Sequence, residues 1–582
     1  MSRKQYYKRI IPICQEIYEK IDKKLTVIYD RKRKNKGKFV KMINLVGDIL
    51  FFISLAICVI VEVKGKKEFE NKNKLLEKYA NIIFLLIFFI ATIAITYKVS
   101  NVPQGLHVDE AGAFYDAICI SKYGVDRYLY KFPVYFVNFG GGQNALYTYL
   151  AAILIKIFGA NTTIFRLPAI LLSLLSMACL YKLICENNSK KQALFTSFIL
   201  AICPFFVMKS RWGLESYLMC GSLTISMFIF MKALNKNKQY WYVLAGIFFG
   251  LTLYTYAIAY VVVPAILGII LLYLLITKKM KIKNIICMGI PLAILAIPLI
   301  LMLAMNSGMI ENVKLPLVSI PKLWFYRGGE ISLRNVPENI HNIFEILFIK
   351  DFLNYNAIAE FGTLYKLSIP LVIFGLIEVI KNAIEEIKQR KFSLDFMMLV
   401  AFVAEFCVGL CIAELNINKI NAIYIPMIYF AGRFLERVSS RAKYAWIVII
   451  FMYCLNATMF IHYYFTEFAH TDLQYFEDEI IDVSKRAEEL KKSKIYVENC
   501  LNQTYIYTLV ATPISPYELN ENLCVENGMV MEYGKYRFEI PQEIEEDAIY
   551  VIKNDEEKIN ELLEYGFNVE KYGEFNVLYF GE

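Results

Sequence analysis

Long apolar runs recur along most of this chain and constrain its fold more than any other feature. A membrane-spanning helix needs about 20 mainly apolar residues, and twelve runs approach that length. They are 43–62, 80–97, 163–184, 193–208, 214–233, 240–254, 257–276, 284–305, 367–383, 394–414, 420–437 and 443–464. The sequence therefore predicts a polytopic α-helical membrane protein with about 11–12 transmembrane helices.

Composition and charge agree with this class and argue against a nucleic-acid partner. Of 582 residues, 57% are hydrophobic and 20% are charged, whereas soluble domains are about 45–50% apolar and about 25% charged. The net charge of +9 is concentrated at the N-terminus, where residues 1–41 hold fourteen Lys and Arg. Such a cluster favours anionic lipid headgroups of the bilayer as its neighbours.

The charge of the short loops predicts the topology. Loops on the cytoplasmic side are enriched in Lys and Arg. The run 145–158 has only 14 residues, which favours a helix in the outer membrane interface over a span. If 145–158 does not cross, every predicted inner loop carries Lys or Arg: 186–192, 234–239, 277–283, 384–393 and 437–443. The outer face then receives loops 98–162 and 306–366 and the chain after 465. Whether 43–62 crosses stays open, because both its flanks are basic.

This topology divides the chain into three parts: a basic N-terminal segment (1–41), a multi-pass membrane domain (42–465) and an extracytoplasmic domain (466–582). The last part changes character and predicts a small α/β fold. Helical periodicity covers 472–493 and 556–564, and strands are predicted at 494–500, 504–511, 548–554 and 574–580. Cys500 and Cys524 lie in this domain, and their spacing leaves a disulfide between them open.

The candidate site centres on the polar stretch 101–116, which follows the second apolar run. Asp109 and Glu110 are adjacent there, and charged groups beside a membrane are candidates for function. An ionised carboxylate can take a proton from a hydroxyl group or hold a metal. The alternative is that Asp109 caps the helix that follows. His107 could ligate a metal, but the four His of the chain are scattered, which argues against a His-based metal site.

Further charged residues fall at the same predicted membrane level. Arg211 and Glu215 lie in the run Ser210–Glu215, Arg166 opens a predicted span, and Lys419 lies in the run 416–421. Cations there could bind a lipid phosphate; equally, they could anchor helices at the membrane interface. Asn144, at the end of a Gly-rich turn, and Asn354, in loop 306–366, are supporting candidates that could contact sugar hydroxyl groups.

Three runs of residues together resemble a known superfamily. Pro103–Ala111, Tyr147–Ala169 and Ser210–Glu215 resemble motifs of the GT-C membrane glycosyltransferases. These include the protein O-mannosyltransferases, the aminoarabinose transferases and bacterial family 39-like enzymes. The resemblance covers residues 80–465 in architecture.

The resemblance implies a membrane glycosyltransferase that moves a hexosyl or pentosyl group from a polyprenyl-phosphate donor to a glycan, lipid or protein acceptor of the cell envelope. It implies catalysis on the extracytoplasmic side of the cell membrane by Asp109 and Glu110, with Asp109 as the base and the anomeric centre inverted.

The resemblance also implies that Arg166, Arg211 and Lys419 bind the donor phosphate. Glu215 stands where the family usually has Asp, and Lys419 stands where many relatives have Arg. No cofactor is certain, and a divalent metal on Asp109 or Glu215 stays open. The competing interpretations are a polytopic transporter or lipid flippase, with Glu405 as its mid-helix charge, and a non-catalytic relative that acts as a scaffold.

Overall fold

The computed structural model describes residues 40–63, 74–326, 328–351, 353, 355–442, 444–470, 476–526 and 529–581. The predicted basic segment 1–41 lies outside these ranges except for its last two residues. Up to residue 466 the described chain is mainly helical, and beyond it a mixed sheet follows.

Most of the helices up to residue 466 follow the apolar runs. Their bounds are α1 Val40–Val63, α2 Lys74–Lys78, α3 Ala80–Thr96, α4 Val108–Tyr123, α5 Ala145–Phe158, α6 Thr162–Asn187, α7 Lys190–Ile202, α8 Pro204–Lys209, α9 Glu215–Lys236, α10 Gln239–Leu253, α11 Ala259–Ile276, α12 Ile282–Asn306, α13 Val336–Phe348, α14 Ser368–Lys388, α15 Leu394–Cys411, α16 Tyr424–Arg441 and α17 Ala445–Thr466. Among the described residues, seven helices are long and apolar enough to cross a membrane: α1, α6, α9, α11, α12, α15 and α17. The chain is a multi-pass membrane protein.

The other five predicted spans also form helices, but these are shorter or more charged: α3, α7, α10, α14 and α16. The predicted run 193–208 is not one helix. It divides into α7 and α8 because Cys203 is extended and Pro204 begins a new helix, as expected of a residue that fits a first helical turn but not a helix interior. The predicted run 420–437 begins instead as a 3₁₀ segment, Ile417–Ile423, which leads into α16.

The segment predicted as the first outer loop is well structured. α4 is followed by the antiparallel hairpin of β1 (Tyr135–Asn138) and β2 (Gly141–Asn144), in which Tyr135 lies opposite Asn144. α5 then covers the 14 residues 145–158 with the predicted bounds and packs against both α4 and α6. In the chain, the hairpin therefore connects α4, which carries Asp109 and Glu110, to α5.

The C-terminal part forms a seven-stranded mixed sheet. Its strands are β3 Lys494–Val497, β4 Cys524–Glu526, β5 Met529–Tyr533, β6 Tyr536–Arg537, β7 Ala548–Ile552, β8 Asn568–Tyr572 and β9 Phe575–Tyr579. They are ordered β4-β5-β6-β3-β7-β9-β8, with β3 parallel to β6 and to β7. The helices are α18 Glu479–Glu489, α19 Thr504–Ala511, α20 Pro516–Glu521 and α21 Glu556–Tyr565. Cys500 and Cys524 are not joined by a disulfide.

The predicted strand at 504–511 is wrong, because these residues form α19. Tyr, Ile, Thr and Val favour strands, but here Ile506 and Leu509 are fully buried in a helix that packs on α18 and on α4. Burial against two helices outweighs the strand propensity. The same apolar cluster includes Phe114 of α4 and Val551 of β7, so the C-terminal domain packs directly on the helix that carries Asp109.

Candidate active site

The N-terminus of α4 fixes the two adjacent carboxylates in different environments. The helix is capped by His107, not by Asp109: Nδ1 of His107 accepts from the backbone N–H of Asp109 at 3.2 Å, and Oε2 of Glu110 accepts from the backbone N–H of His107 at 3.2 Å. This is a capping box. The alternative interpretation, in which Asp109 caps this helix, is therefore wrong, and Asp109 lies in the first turn of α4.

Glu110 is fully buried and paired with Arg166. Arg166 donates from Nε and Nη2 to the two carboxylate oxygens of Glu110, each at 2.9 Å, and both side chains have 0% exposure. The backbone N–H of Gly213 also donates to Glu110 Oε1, at 2.5 Å. The remaining Arg166 donors go to the carbonyl oxygens of Val99, Pro103 and Gly105 at 2.7–2.9 Å. This arrangement joins α4, α6 and the loop before α9.

Arg211 also faces backbone carbonyl groups. It is fully buried, and it donates to Ala94 O at 2.9 Å, Tyr97 O at 2.6 Å and Val102 O at 2.9 Å. These carbonyl groups lie at the end of α3 and in the loop that follows. Neither Arg211 nor Arg166 lines the cavity described below, so the two cations stabilise the loop that leads into α4.

Asp109, by contrast, is 40% exposed at its side chain. Its Oδ1 accepts from Asn138 Nδ2 at 3.1 Å, and its Oδ2 lies 3.6 Å from His107 Nδ1. Gln143 of β2 links Asp109 to Glu215: its Nε2 lies 2.6 Å from Glu215 Oε2 and 3.5 Å from the backbone oxygen of Asp109. One buried amide therefore links the Glu215 carboxylate to the backbone of Asp109.

A cavity of about 300 Å³ opens beside Glu215. Its walls come from the hairpin, the starts of α9 and α11, the end of α12 and loop 306–335. The lining residues are Tyr135, Gly142, Asn144, Glu215, Tyr256, Ala257, Ile258, Tyr260, Val261, Met302, Leu303, Leu323, Phe325, Tyr326, Gly328, Glu330, Ile331, Ile412 and Lys419. Aromatic rings, carboxylates and one lysine thus share a cavity large enough for a sugar ring.

The polar groups of this cavity are held in place. Lys419 Nζ lies 3.1 Å from Glu330 Oε2 and donates to Ala413 O at 2.8 Å. Asn144 Nδ2 donates to Leu253 O at 3.2 Å and to Tyr260 OH at 3.1 Å. Burial, and then the nearby Glu215 carboxylate, raise the pKa of Tyr256, so this phenol stays a neutral hydrogen-bond donor at neutral pH.

A second buried polar cluster was not singled out from the sequence. Lys209, 3% exposed, contacts the Tyr217 hydroxyl group and donates to Asn356 Oδ1 at 2.5 Å. Tyr217 OH also donates to Asn418 Oδ1 at 2.6 Å, one residue before Lys419. The signal in the sequence was the position of Lys209 directly before Ser210–Glu215. This cluster joins α8 and α9 to the 3₁₀ segment that carries Lys419.

The structure thus brings Asp109, Glu215, Asn144 and Lys419 to one region and leaves Glu110, Arg166 and Arg211 buried behind it. His107 packs its ring against Trp212, Tyr355 and Phe476 at 5.2–5.9 Å between centroids. Asn354 lies outside the described residues.

A protein-bound divalent metal has little support from the residues themselves. Within the ranges that the structure describes, no group of three or more His, Cys, Asp or Glu residues could hold a metal ion. Gln143 Nε2 directs its N–H at Glu215, at 2.6 Å, and a cation on that oxygen would displace this hydrogen bond. A metal on Asp109 or Glu215 stays a prediction.

The comparisons with known proteins agree with this architecture. A family described as dolichyl-phosphate-mannose-protein mannosyltransferase matches residues 144–305, which span α5 to α11 and nearly all of α12. No curated protein matches the chain.

Among solved structures, ArnT from Cupriavidus metallidurans in the apo state is similar with a TM-score of 0.52 at 11% identity, over 86% of this chain and 97% of that chain. ArnT from the same organism bound to undecaprenyl phosphate gives a TM-score of 0.51 at 11% identity, over 86% and 98% of the two chains. At 11% identity, the similarity to these structures shows the fold alone. The chain therefore has the fold of these ArnT structures, and its residues 144–305 match the mannosyltransferase family.

Proposed function

We propose that this protein transfers a sugar from a polyprenyl-phosphate donor to an acceptor of the cell envelope on the outer face of the membrane. The observation that carries the proposal is the cavity of about 300 Å³, because a cation, two carboxylates and several aromatic side chains line it and an accessible carboxylate, Asp109, lies next to it. The matching family is described by a polyprenol-type sugar donor, and an ArnT structure contains undecaprenyl phosphate. Both support a lipid-linked donor here.

In the proposed reaction, Asp109 takes the proton of the acceptor hydroxyl group. The acceptor oxygen then forms a bond to the anomeric carbon while the bond from that carbon to the phosphate oxygen breaks. The half-exposed Asp109 carboxylate can reach a hydroxyl group without leaving Asn138, since only its Oδ1 accepts from that amide. A base in hydrogen-bond reach of the proton typically contributes about 10²–10⁴-fold to the rate.

Lys419 stabilises the phosphate charge that the departing lipid carries. Among the described residues, two hydrogen bonds use its ammonium group, to Glu330 and to Ala413, and an ammonium group has three donors. Phosphate binding is therefore assigned to Lys419 rather than to Arg166 and Arg211, whose hydrogen bonds go to Glu110 and to backbone carbonyl oxygens. The aromatic rings, Asn144 and Tyr260 contact the sugar.

The transporter interpretation receives less support. It depends on Glu405, which is 1% exposed in α15. Its Oε1 accepts from the backbone N–H of Ala422 at 3.1 Å, so this carboxylate holds the 3₁₀ segment that carries Lys419. A carboxylate with that role supports the position of Lys419 in the cavity wall, and this favours a structural role over an ion pathway.

The replacement Asp109→Asn tests the base. It keeps the size of the side chain and removes the proton acceptor, so we expect transfer from a polyprenyl-phosphate sugar to fall by at least about 100-fold while the protein still folds. Asp482→Asn is the control, because Asp482 is 65% exposed on α18 and should leave activity unchanged. Radiolabelled donor and purified protein in detergent give the rate. Full activity of Asp109→Asn would refute the base assignment.

A further inference from the structure

A buried polar amide connects the candidate base to the rest of the molecule. Asn138, at the end of β1, donates from Nδ2 to Asp109 Oδ1 at 3.1 Å, and its Oδ1 accepts from Arg127 Nη2 at 3.2 Å. A guanidinium group only donates hydrogen bonds. The amide oxygen of Asn138 must therefore face Arg127, and the amide NH₂ group is left to face Asp109. Arg127 thus sets which way Asn138 points.

Arg127 is itself fixed from two sides. It forms an ion pair with Asp116 of α4, with Nη2 2.7 Å from Oδ2, and both side chains are 1% exposed. From Nη1 it donates to the hydroxyl group of Tyr505 at 3.3 Å. Tyr505 lies on α19 and is 4% exposed. A continuous chain of buried hydrogen bonds therefore runs from the C-terminal domain to Asp109.

The backbone before α4 is attached to the same domain. Leu106 and Glu477 exchange two backbone hydrogen bonds, at 3.1 Å and 2.9 Å. Gly105 has φ of +79°, and a Cβ atom on it would lie 2.5 Å from the carbonyl carbon of Glu477. Only glycine fits such a close approach in this conformation. The domain thus holds Asp109 by the backbone on one side and by Asn138 on the other.

We infer that the C-terminal domain is a positioning element of the active site: Tyr505, acting through Arg127 and Asn138, holds Asp109 in its reactive orientation. The inference rests on the proposed function, in which Asp109 is the base. Tyr505, Arg127 and Asn138 are positioning residues, because none of them lines the donor cavity. Their loss should lower the rate of the chemical step and leave donor binding intact.

The replacement Tyr505→Phe tests the chain, with Tyr533→Phe as its matched control. Both tyrosines are buried in the C-terminal domain, but the Tyr533 hydroxyl group bonds Thr508 inside that domain at 2.7 Å. We expect Tyr505→Phe to lower kcat about tenfold, since small misplacements of a catalytic group are costly, with the donor KM unchanged. Tyr533→Phe should keep the wild-type kcat. Equal kcat values for the two variants would overturn the inference.

Combined replacements distinguish loss of the orientation of Asp109 from a general destabilisation of the fold. Asn138→Ala breaks the chain next to Asp109, so adding Tyr505→Phe to it should lower kcat no further, as expected for two residues of one network. Effects that multiply would overturn the inference.

Gly112→Ala is an independent way to break the chain, because its Cβ atom would lie 2.4 Å from Asn138 Oδ1 and 2.8 Å from Arg127 Nη2. Gly289→Ala, whose Cβ atom meets nothing within 4 Å, is its control.

Amide hydrogen exchange supplies a readout that needs no transferase activity. Tyr505→Phe should speed exchange in residues 135–144 and at the start of α4, and Tyr533→Phe should not. Unchanged exchange in Tyr505→Phe would overturn the inference whatever the enzyme assay gives. Faster exchange in a protein whose wild type transfers no sugar would uphold the connection between domain and hairpin and refute the proposed function instead.

Discussion

Replacing Arg166 by Met should destabilise the fold rather than weaken donor binding. The side chain makes five hydrogen bonds, two to Glu110 and three to backbone carbonyl oxygens, and neither Arg166 nor Glu110 is exposed to solvent. Breaking a buried ion pair by removing one partner costs about 3–5 kcal/mol, because the other charge is left uncompensated. That is a large part of the about 5–15 kcal/mol that stabilises a typical protein.

Unfolding of the purified protein in detergent micelles, followed by tryptophan fluorescence during denaturant titration or heating, measures this loss. Lys232→Met is the control, because Lys232 pairs with Glu186 at 2.5 Å with side chains 20% and 33% exposed, and such pairs contribute about 0–1 kcal/mol. A structural role of Arg166 would be refuted if Arg166→Met unfolded like the wild type and lost its affinity for polyprenyl phosphate. In that case Arg166 would be a phosphate ligand, as its position in the sequence suggests.

Lys419→Ala should raise the donor KM by about 10–100-fold, since a hydrogen bond to a charged group contributes about 1.5–3 kcal/mol. Lys419→Arg should restore most of the affinity. An unchanged KM in the Ala variant would show that Lys419 does not bind the donor phosphate. In the C-terminal domain, hydrogen bonding from Arg486 lowers the pKa of Glu570 from 4.5 to about 2, so this carboxylate contributes stability that is fully present above pH 4.5 and lost as the pH falls towards 2. Glu570→Gln should abolish that part of the acid sensitivity in a pH series of thermal melts, and an identical series in the variant would contradict the assignment. The orientation in the membrane can be tested with a membrane-impermeant maleimide. It should label Leu317→Cys in intact cells, since Leu317 is 80% exposed, and it should label Lys279→Cys only after permeabilisation. The reverse pattern would invert the proposed orientation.

Much of the membrane domain could be predicted from local patterns alone. Each predicted span overlaps a helix, and the 14-residue length of α5 follows from the apolar run itself. Helix ends were harder to place, because Pro204 divides one run and the 3₁₀ segment Ile417–Ile423 opens another. The helix at 504–511 was missed, because its strand-forming residues are buried between other helices.

The roles of individual charges could not be read from their order in the chain. Asp109 and Glu110 are neighbours of the same charge, but successive residues of a helix point about 100° apart. One side chain therefore faces Arg166 in the interior while the other faces the hairpin. Lys209 lies directly before Ser210–Glu215, but its position at the end of an apolar run does not show that it will be buried beside Asn356.

The sequence by itself determined that this protein spans a membrane, that a short helix interrupts the series of spans, and that polar residues cluster near Asp109. Those properties depend on apolar content and on short-range spacing, which the chain carries locally. Only the tertiary structure decided that Glu110 pairs with Arg166, 56 residues away, and that Tyr505 reaches the helix of Asp109 through Arg127, 378 residues away. The physical reason is that a buried charge needs a partner, and the packing of helices and the C-terminal domain, not the order of residues, determines which partner comes within reach.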